Sequence, residues 1–299
     1  MIESVEGLVS ILTPFLNAER FLADTIETVL GQTYGHWELL LINDGSSDAS
    51  PNIASRYMQA HPHRIRLLTH VGGRTHGVST TRNLGLTAAR GEFVAMLDAD
   101  DIWLPEHLAE QVPLLRTERR AGALYGRTLH WHSWSANAQD RGRDYVPRLG
   151  VPSGRLIDGR QLLSQTVPGK AMVPSPCSVL VRRSAALAVG GFEDAFTSVY
   201  TDQVFYGKLF LRFAALPIDR CSASYRQHDD SCVHMMKRTR RGRTARLAYL
   251  SWLDGYVGRN APNAAVLRRT IRRELWRCRH PVGDYLLDLK EFARRRVLR

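Results

Sequence analysis

Three aspartates within four residues, Asp98, Asp100 and Asp101, are where this sequence concentrates its chemistry. Carboxylates this close repel and raise one another's pKa unless a cation lies among them. Oxygen donors without a cysteine beside them suit Mg2+ or Mn2+, ions that a protein holds through one or two carboxylates while substrate phosphates complete the shell. The plainer reading is a polar turn whose acids cap a helix starting near Pro105. Two further polar turns follow apolar runs in the same way: Thr13-Pro14, and Asn43-Asp44-Gly45-Ser46-Ser47-Asp48, in which Asp48 reads equally as a helix cap. Later in the chain Asp202 heads a helical pattern, Glu193 and Asp194 close the turn Gly190-Gly191-Phe192-Glu193-Asp194, and His228 follows a short strand pattern.

The elements that must position these residues are legible in outline. Apolar runs over 8–13, 38–42, 65–69 and 93–97 predict strands, and helical patterns fill 18–33, 49–59 and 79–89 between them. Strands apolar on both faces and separated by helices define an α/β domain with a mostly parallel sheet covered on both sides. Ligands bind at the carboxyl ends of such strands, which is where Thr13, Asp44 and Asp98 to Asp101 fall. Beyond 129 the signal weakens, and 130–155 predicts a long irregular connection of the length more often functional than accidental. A strand over 176–181, a helix over 202–214 and a strand over 222–226 follow. The tail from about Lys237 predicts two or three basic amphipathic helices, with Ala264, Leu267, Ile271, Leu275 and Cys278 on one face at spacings of three and four.

The chain has 299 residues and a net charge of +12, which would suggest a polyanion binder if it were spread evenly. It is not. Residues 1–232 carry 23 Lys+Arg against 24 Asp+Glu, whereas residues 233–299 carry 18 against 5. The body is near neutral and the tail holds the whole basic excess, which argues against nucleic acid as the partner. Four scattered cysteines without a C-x-x-C pair fit a reducing compartment. Glu3 and Glu6 sit where a signal peptide needs a basic start, and no run approaches the roughly 18 apolar residues of a membrane span, so a cytoplasmic location is expected. No G-x-G-x-x-G follows the first strand and no G-x-x-x-x-G-K-[ST] occurs, which disfavours dinucleotide dehydrogenases and P-loop NTPases.

The ordered run Val9-Ser10-Ile11-Leu12-Thr13-Pro14, Ile42-Asn43-Asp44-Gly45-Ser46-Ser47-Asp48, Gly77-Val78-Ser79 with Arg82-Asn83-Leu84-Gly85, and Leu97-Asp98-Ala99-Asp100-Asp101-Ile102-Trp103-Leu104-Pro105 resembles the successive motifs of the family 2 inverting glycosyltransferases over residues 8–110. Gly190-Gly191-Phe192-Glu193, Thr201-Asp202-Gln203 and Tyr225-Arg226-Gln227-His228 resemble the family's acceptor-side motifs more loosely. The resemblance implies a GT-A fold over 1–234, with a nucleotide-sugar half over about 1–128 and an acceptor half over about 129–234, followed by the basic helical extension 235–299. It also implies transfer of a sugar from a nucleoside-diphosphate donor, first of all a UDP-sugar, to an acceptor hydroxyl in surface polysaccharide or glycoconjugate synthesis. Thr13, Pro14, Asp44, Arg82 and Asp98 match nucleotide-binding positions, and Asp100 and His228 match positions for Mn2+ or Mg2+. Asp202 matches the base. Thr201 stands where the family usually has an acid before that base, which brings Glu193 and Asp194 in as substitutes.

Two other classes compete. A sugar nucleotidyltransferase uses a similar sheet but resembles a glycine-rich, basic first loop that Thr13-Pro14-Phe15 lacks. A non-catalytic RNA- or membrane-binding protein would have no need of Asp44, Asp98, Asp100 and Asp202 together. Trp103, Trp131 and Trp134 read as core residues before they read as platforms for a sugar ring. For the tail, helices packed on the body and a helix lying on an anionic membrane at the inner face are both open, the second suiting a saccharide or lipid-linked acceptor.

Overall fold

The first apolar run lengthens into β1 (Val5–Phe15), buried from Gly7 to Phe15 and placed in the interior of a sheet. The structure is a computed structural model that describes residues 4–135, 137–231, 234–236, 239 and 241–280. Strand β1 pairs in parallel with β2 (Trp37–Asn43) on one side and β4 (Gly91–Met96) on the other, and β2 pairs in parallel with β3 (Ile65–Thr69). Helices α1 (Leu22–Leu30), α2 (Ser50–Ala60) and α3 (Val78–Ala88) make the crossovers between them. Beyond β4 come β5 (Ile102–Trp103), α4 (His107–Thr117), β6 (Ala121–Trp131), α5 (Gly159–Thr166), β7 (Val179–Arg182), α6 (Arg183–Ala188), α7 (Thr201–Arg212) and β8 (Ala214–Arg226). The sheet order is β3-β2-β1-β4-β7-β6-β8-β5.

Strand β7 runs antiparallel to both β4 and β6, and β6 is parallel to β8. Two reversals restore the original direction, so β1, β2, β3, β4, β6 and β8 all point their carboxyl ends at one edge. This is the α/β, mostly parallel architecture the apolar runs predict, with only β7 and the two-residue β5 reversed among the described strands. Alternate side chains feed two cores. Leu12, Leu40 and Ile42 pack toward α3, α6 and α7, while Ile11, Leu39 and Leu41 pack toward α1, α2 and α4. Each of these six is 0–1% exposed and stabilises the fold by roughly 2 kcal/mol through burial.

The second half differs from the sequence reading in two strands. β6 begins at Ala121, where no apolar run predicts a strand, and β8 starts eight residues before the expected 222. The irregular connection therefore starts only after Trp131. Its first turn is held by the Asp144 carboxylate, which accepts the His132 and Ser133 N–H groups at 2.7 and 3.0 Å and the Ser133 hydroxyl at 2.6 Å.

In the tail, α8 (Gly242–Asn260) and α9 (Ala265–Arg279) pack on the body. Leu250, Leu253 and Val257 of α8 and Leu267, Ile271 and Leu275 of α9 join the same apolar core as Leu163 of α5 and Phe205 and Leu209 of α7. The face predicted from 264, 267, 271, 275 and 278 exists, and it is turned inward. It is not the face a membrane could meet. No helix among the described residues is long and apolar enough to cross a membrane; the remainder of the tail prediction, over 281–299, lies outside the described residues.

Candidate active site

The carboxyl edge of the sheet gathers residues that are far apart in sequence. Thr13 and Pro14 lie near the carboxyl end of β1, Asp44 follows β2, Asp98 and Asp100 follow β4, and His228 stands two residues beyond β8. Arg82 comes from α3 and Asp202 from the first turn of α7.

Asp44 is 4% exposed and is fixed by the loop that precedes α3: its carboxylate accepts the backbone N–H of His76 at 2.8 Å and of Gly77 at 3.0 Å. His70, whose ring lies tilted against that of His76 with centroids 4.4 Å apart, brings Nε2 to 3.7 Å from the same carboxylate. Two glycines permit this closure. At Gly45 (φ +84°) a Cβ would lie 2.9 Å from both Gly73 O and Thr75 N, and at Gly77 (φ +88°) it would lie 2.8 Å from Thr197 Cβ. Thr13 is fully buried, and its hydroxyl has no hydrogen-bond partner among the described residues.

Arg82 is buried and donates to Asp98 at 2.5 Å through Nη2 and to the Thr201 hydroxyl at 3.2 Å through Nη1. Burial alone would lower its pKa, and the Asp98 carboxylate more than compensates, so the guanidinium stays charged. Thr201, the residue that replaces an acid in the motif, thus serves as a neutral acceptor for the arginine. Asp202 beside it is partly buried. Burial raises its pKa above the usual carboxylate range, opposed by the positive charge of Arg82 and by the Gln203 N–H. Tyr200, just before, adopts a left-handed backbone (φ +61°), costly for an aromatic residue, and stacks on Tyr249 of α8 at 5.1 Å.

The three acids after β4 separate into distinct roles. Asp98 faces Arg82, Asp100 Oδ2 lies 2.8 Å from His228 Nε2, and Asp101 turns inward at 1% exposure. Burial pushes the Asp101 carboxyl well above its usual range, with Asp100 and Asp98 adding to the effect, while its Oδ1 accepts the Arg226 N–H at 3.0 Å. Asp101 belongs to the scaffold.

Arg226, which the motif Tyr225-Arg226-Gln227-His228 contains without giving it a role, is a structural centre of the site. Its guanidinium is buried among Phe21, Trp131 and Trp134, 4.8, 5.1 and 5.2 Å from the ring centroids. It donates from Nε to the Asp100 carbonyl at 2.8 Å and from Nη2 to Asp24 at 3.3 Å. The end of β8 is thereby clamped to the acidic loop. Trp131 and Trp134 are taken up by this arrangement, Trp134 lying under Arg20 (4.8 Å) as well as Arg226 while its Nε1 donates to Gln227 O at 2.7 Å; Trp103 is a core residue at 2% exposure.

Asp100 and His228 present two donors to one point, and His228 Nδ1 is buried without a hydrogen-bond partner among the described residues. Among the described residues no group of three or more His, Cys, Asp and Glu side chains forms a cage for a metal ion. A two-donor set is what Mg2+ or Mn2+ takes when phosphate oxygens supply the rest, so the residues fit such an ion together with a diphosphate.

A helix-flanked sheet of this order with an acidic turn at the carboxyl edge defines a GT-A-type glycosyltransferase fold. The sequence model of the family "Glycosyl transferase family 2" matches residues 10–190, and the chain belongs to that family. It is similar to the putative teichuronic acid biosynthesis glycosyltransferase TuaG of Bacillus subtilis, 33% identical over 75% of this chain and 81% of that one. It is also similar to the Escherichia coli UDP-Glc:alpha-D-GlcNAc-diphosphoundecaprenol beta-1,3-glucosyltransferase WfgD, 41% identical over 36% of this chain; that match spans 41% of the relative's own length. Among solved structures, S. aureus TarS 1–349 in complex with UDP-GlcNAc superposes with a TM-score of 0.70 at 17% identity, covering 91% of this chain and 72% of that one. The mannosyltransferase PcManGT from Pyrobaculum calidifontis, in complex with GDP-Man and Mn2+, superposes at 0.57 with 17% identity over 95% and 80%.

Proposed function

We propose that this protein is an inverting glycosyltransferase that moves a sugar from a nucleoside-diphosphate donor, a UDP-sugar first among them, to a hydroxyl of a saccharide or lipid-linked acceptor in surface polysaccharide synthesis. The observation that carries this reading is the convergence at one sheet edge of Asp44, Arg82, Asp98, Asp100, Asp202 and His228, contributed by distinct strand ends and helices. In this reading residues up to about 128 hold the donor and residues 129–234 the acceptor, with 235–299 as an extension of the body. The family membership and the relatives' names support the reaction class and the polysaccharide setting.

Asp44 and Arg82 would line the nucleoside pocket, with Thr13 and Pro14 as its floor. A carboxylate accepts a base N–H or ribose hydroxyls well, and the His76 and Gly77 amides already hold it in place. Asp98, oriented by Arg82, would steer the diphosphate side of the donor. Asp100 and His228 would hold a divalent cation, Mn2+ or Mg2+, which when bound neutralises the charge that develops on the departing diphosphate. The role of Asp202 would be to accept the proton of the acceptor hydroxyl as that oxygen attacks the anomeric carbon. A carboxylate raised by burial is a stronger base than an exposed one, which suits that task. The substitutes are otherwise engaged: Asp194 accepts from Thr80 and Asn83 at 3.0 Å each, and Glu193 lies 3.8 Å from Lys208.

A panel of UDP-, GDP- and dTDP-sugars tested with Mn2+ and a lipid-linked saccharide acceptor decides the reading. Product of inverted anomeric configuration, seen by NMR, is expected from one donor class. Retained configuration, or formation of a nucleotide sugar from a sugar phosphate, would replace it.

A further inference from the structure

Helix α9 holds six arginines and one glutamate in 15 residues, and its two faces are unlike. The inward face is closed: Leu267, Ile271 and Leu275 are 0–6% exposed. The helix's acid, Glu274, is turned in with them and pairs with Arg246 of α8 at 2.9 Å and with Arg277 at 3.8 Å. Arg272 leans toward Asp254 of α8 at 3.3 Å.

The outward face carries Val266, Arg269, Arg273, Trp276 and His280, spaced three and four apart, with Arg272 and Arg279 beside them. Among the described residues α9 places no acid of its own in this stripe, which extends over roughly 20 Å at 1.5 Å per residue. Two large apolar side chains sit in it in the open, Val266 at 73% and Trp276 at 42% exposure, the indole stacking on His280 at 5.0 Å. By sequence, the 19 residues that follow add five basic residues against three acids.

We propose that this outward stripe of α9 is a docking surface for an anionic lipid bilayer. Arginines drawn to lipid phosphates around an exposed tryptophan and an aliphatic side chain are the composition of an interfacial helix, in which the indole settles at headgroup level while the cations stay wet. A soluble polyanion would need the arginines and would gain little from Trp276 or Val266. The face that docks is thus opposite to the apolar face of the same helix, whose side chains are spent on holding α9 to the protein. The assignment is independent of which donor the cleft accepts.

Flotation of the full chain with vesicles of phosphatidylglycerol and phosphatidylcholine in equal parts, against phosphatidylcholine alone, tests it. Wild type is expected to float with the anionic vesicles at low salt and to lose most of that binding on raising the salt several-fold. Arg269→Glu/Arg279→Glu should lower the bound fraction about tenfold, and Trp276→Ser several-fold, with melting temperature and nucleoside-diphosphate binding unchanged. Trp276→Ser removes no charge and no core contact, so it keeps the test alive if the double variant fails to fold. Failure of wild type to float, or equal flotation of wild type and Trp276→Ser, overturns the proposal. So does tighter, tryptophan-independent binding to heparin, which would make the stripe a polyanion site.

Discussion

His228 Nε2 lies 2.8 Å from Asp100 Oδ2 across 128 residues of sequence, joining the end of the last strand to the acidic turn after β4. Two donors so placed are a partial shell, and the cation they would hold should bind strongly only when a diphosphate supplies further oxygens. Asp100→Ala and His228→Ala should each weaken Mn2+-dependent binding of UDP by about tenfold or more, with melting temperature little changed. Isothermal titration of UDP with and without Mn2+ measures this; a wild-type response from Asp100→Ala would move the metal elsewhere.

Arg226 should matter through its neighbours. Its guanidinium bridges the Asp100 carbonyl and Asp24 inside an aromatic nest, so Arg226→Met is expected to cost about 3 kcal/mol of stability, visible in urea unfolding. Lysine should fail to restore it. A planar fork that donates in two directions while lying on three rings has no equivalent in a single ammonium.

At the opposite edge of the sheet, Glu38 is 1% exposed and accepts from the Ser10 hydroxyl at 2.7 Å, the Arg90 N–H at 2.8 Å and the Arg90 guanidinium at 3.0 Å. Burial alone would raise its pKa, but these donors and the arginine charge outweigh burial and hold it below the usual glutamate value. A carboxyl lowered in the folded state contributes stability above its unfolded pKa and loses it as pH falls through the folded one. Glu38→Gln should therefore lower the melting temperature at pH 7, with the gap to wild type closing below about pH 4. A gap that persists unchanged at pH 3 would show that the carboxylate charge is not what stabilises this corner.

The first four strands were legible because each is a nearly unbroken apolar run, and their carboxyl ends led directly to Asp44, Asp98 and Asp100. β6 was hidden because Gly122, Gly126, Arg127 and His130 break its apolar pattern. The start of β8 was hidden by Pro217, Asp219 and Arg220. That β7 runs backwards has no local signature at all, being fixed by pairing between β4 and β6. In α9 the spacing of 267, 271 and 275 was correct, but a period alone does not say whether a protein core or a lipid lies against it. Arg226 carried no spacing signal; its role comes from rings and carbonyls brought together by the fold.

The most direct test of the central claim, sugar transfer with Asp202 as base, is the turnover of Asp202→Asn beside wild type under saturating donor, acceptor and Mn2+. The asparagine keeps the shape of the first turn of α7 and removes the basicity, so kcat should fall by roughly 10²-fold or more while the affinity for nucleoside diphosphate stays near wild type. Turnover close to wild type in Asp202→Asn would contradict the account and pass the role to Glu193 or Asp194.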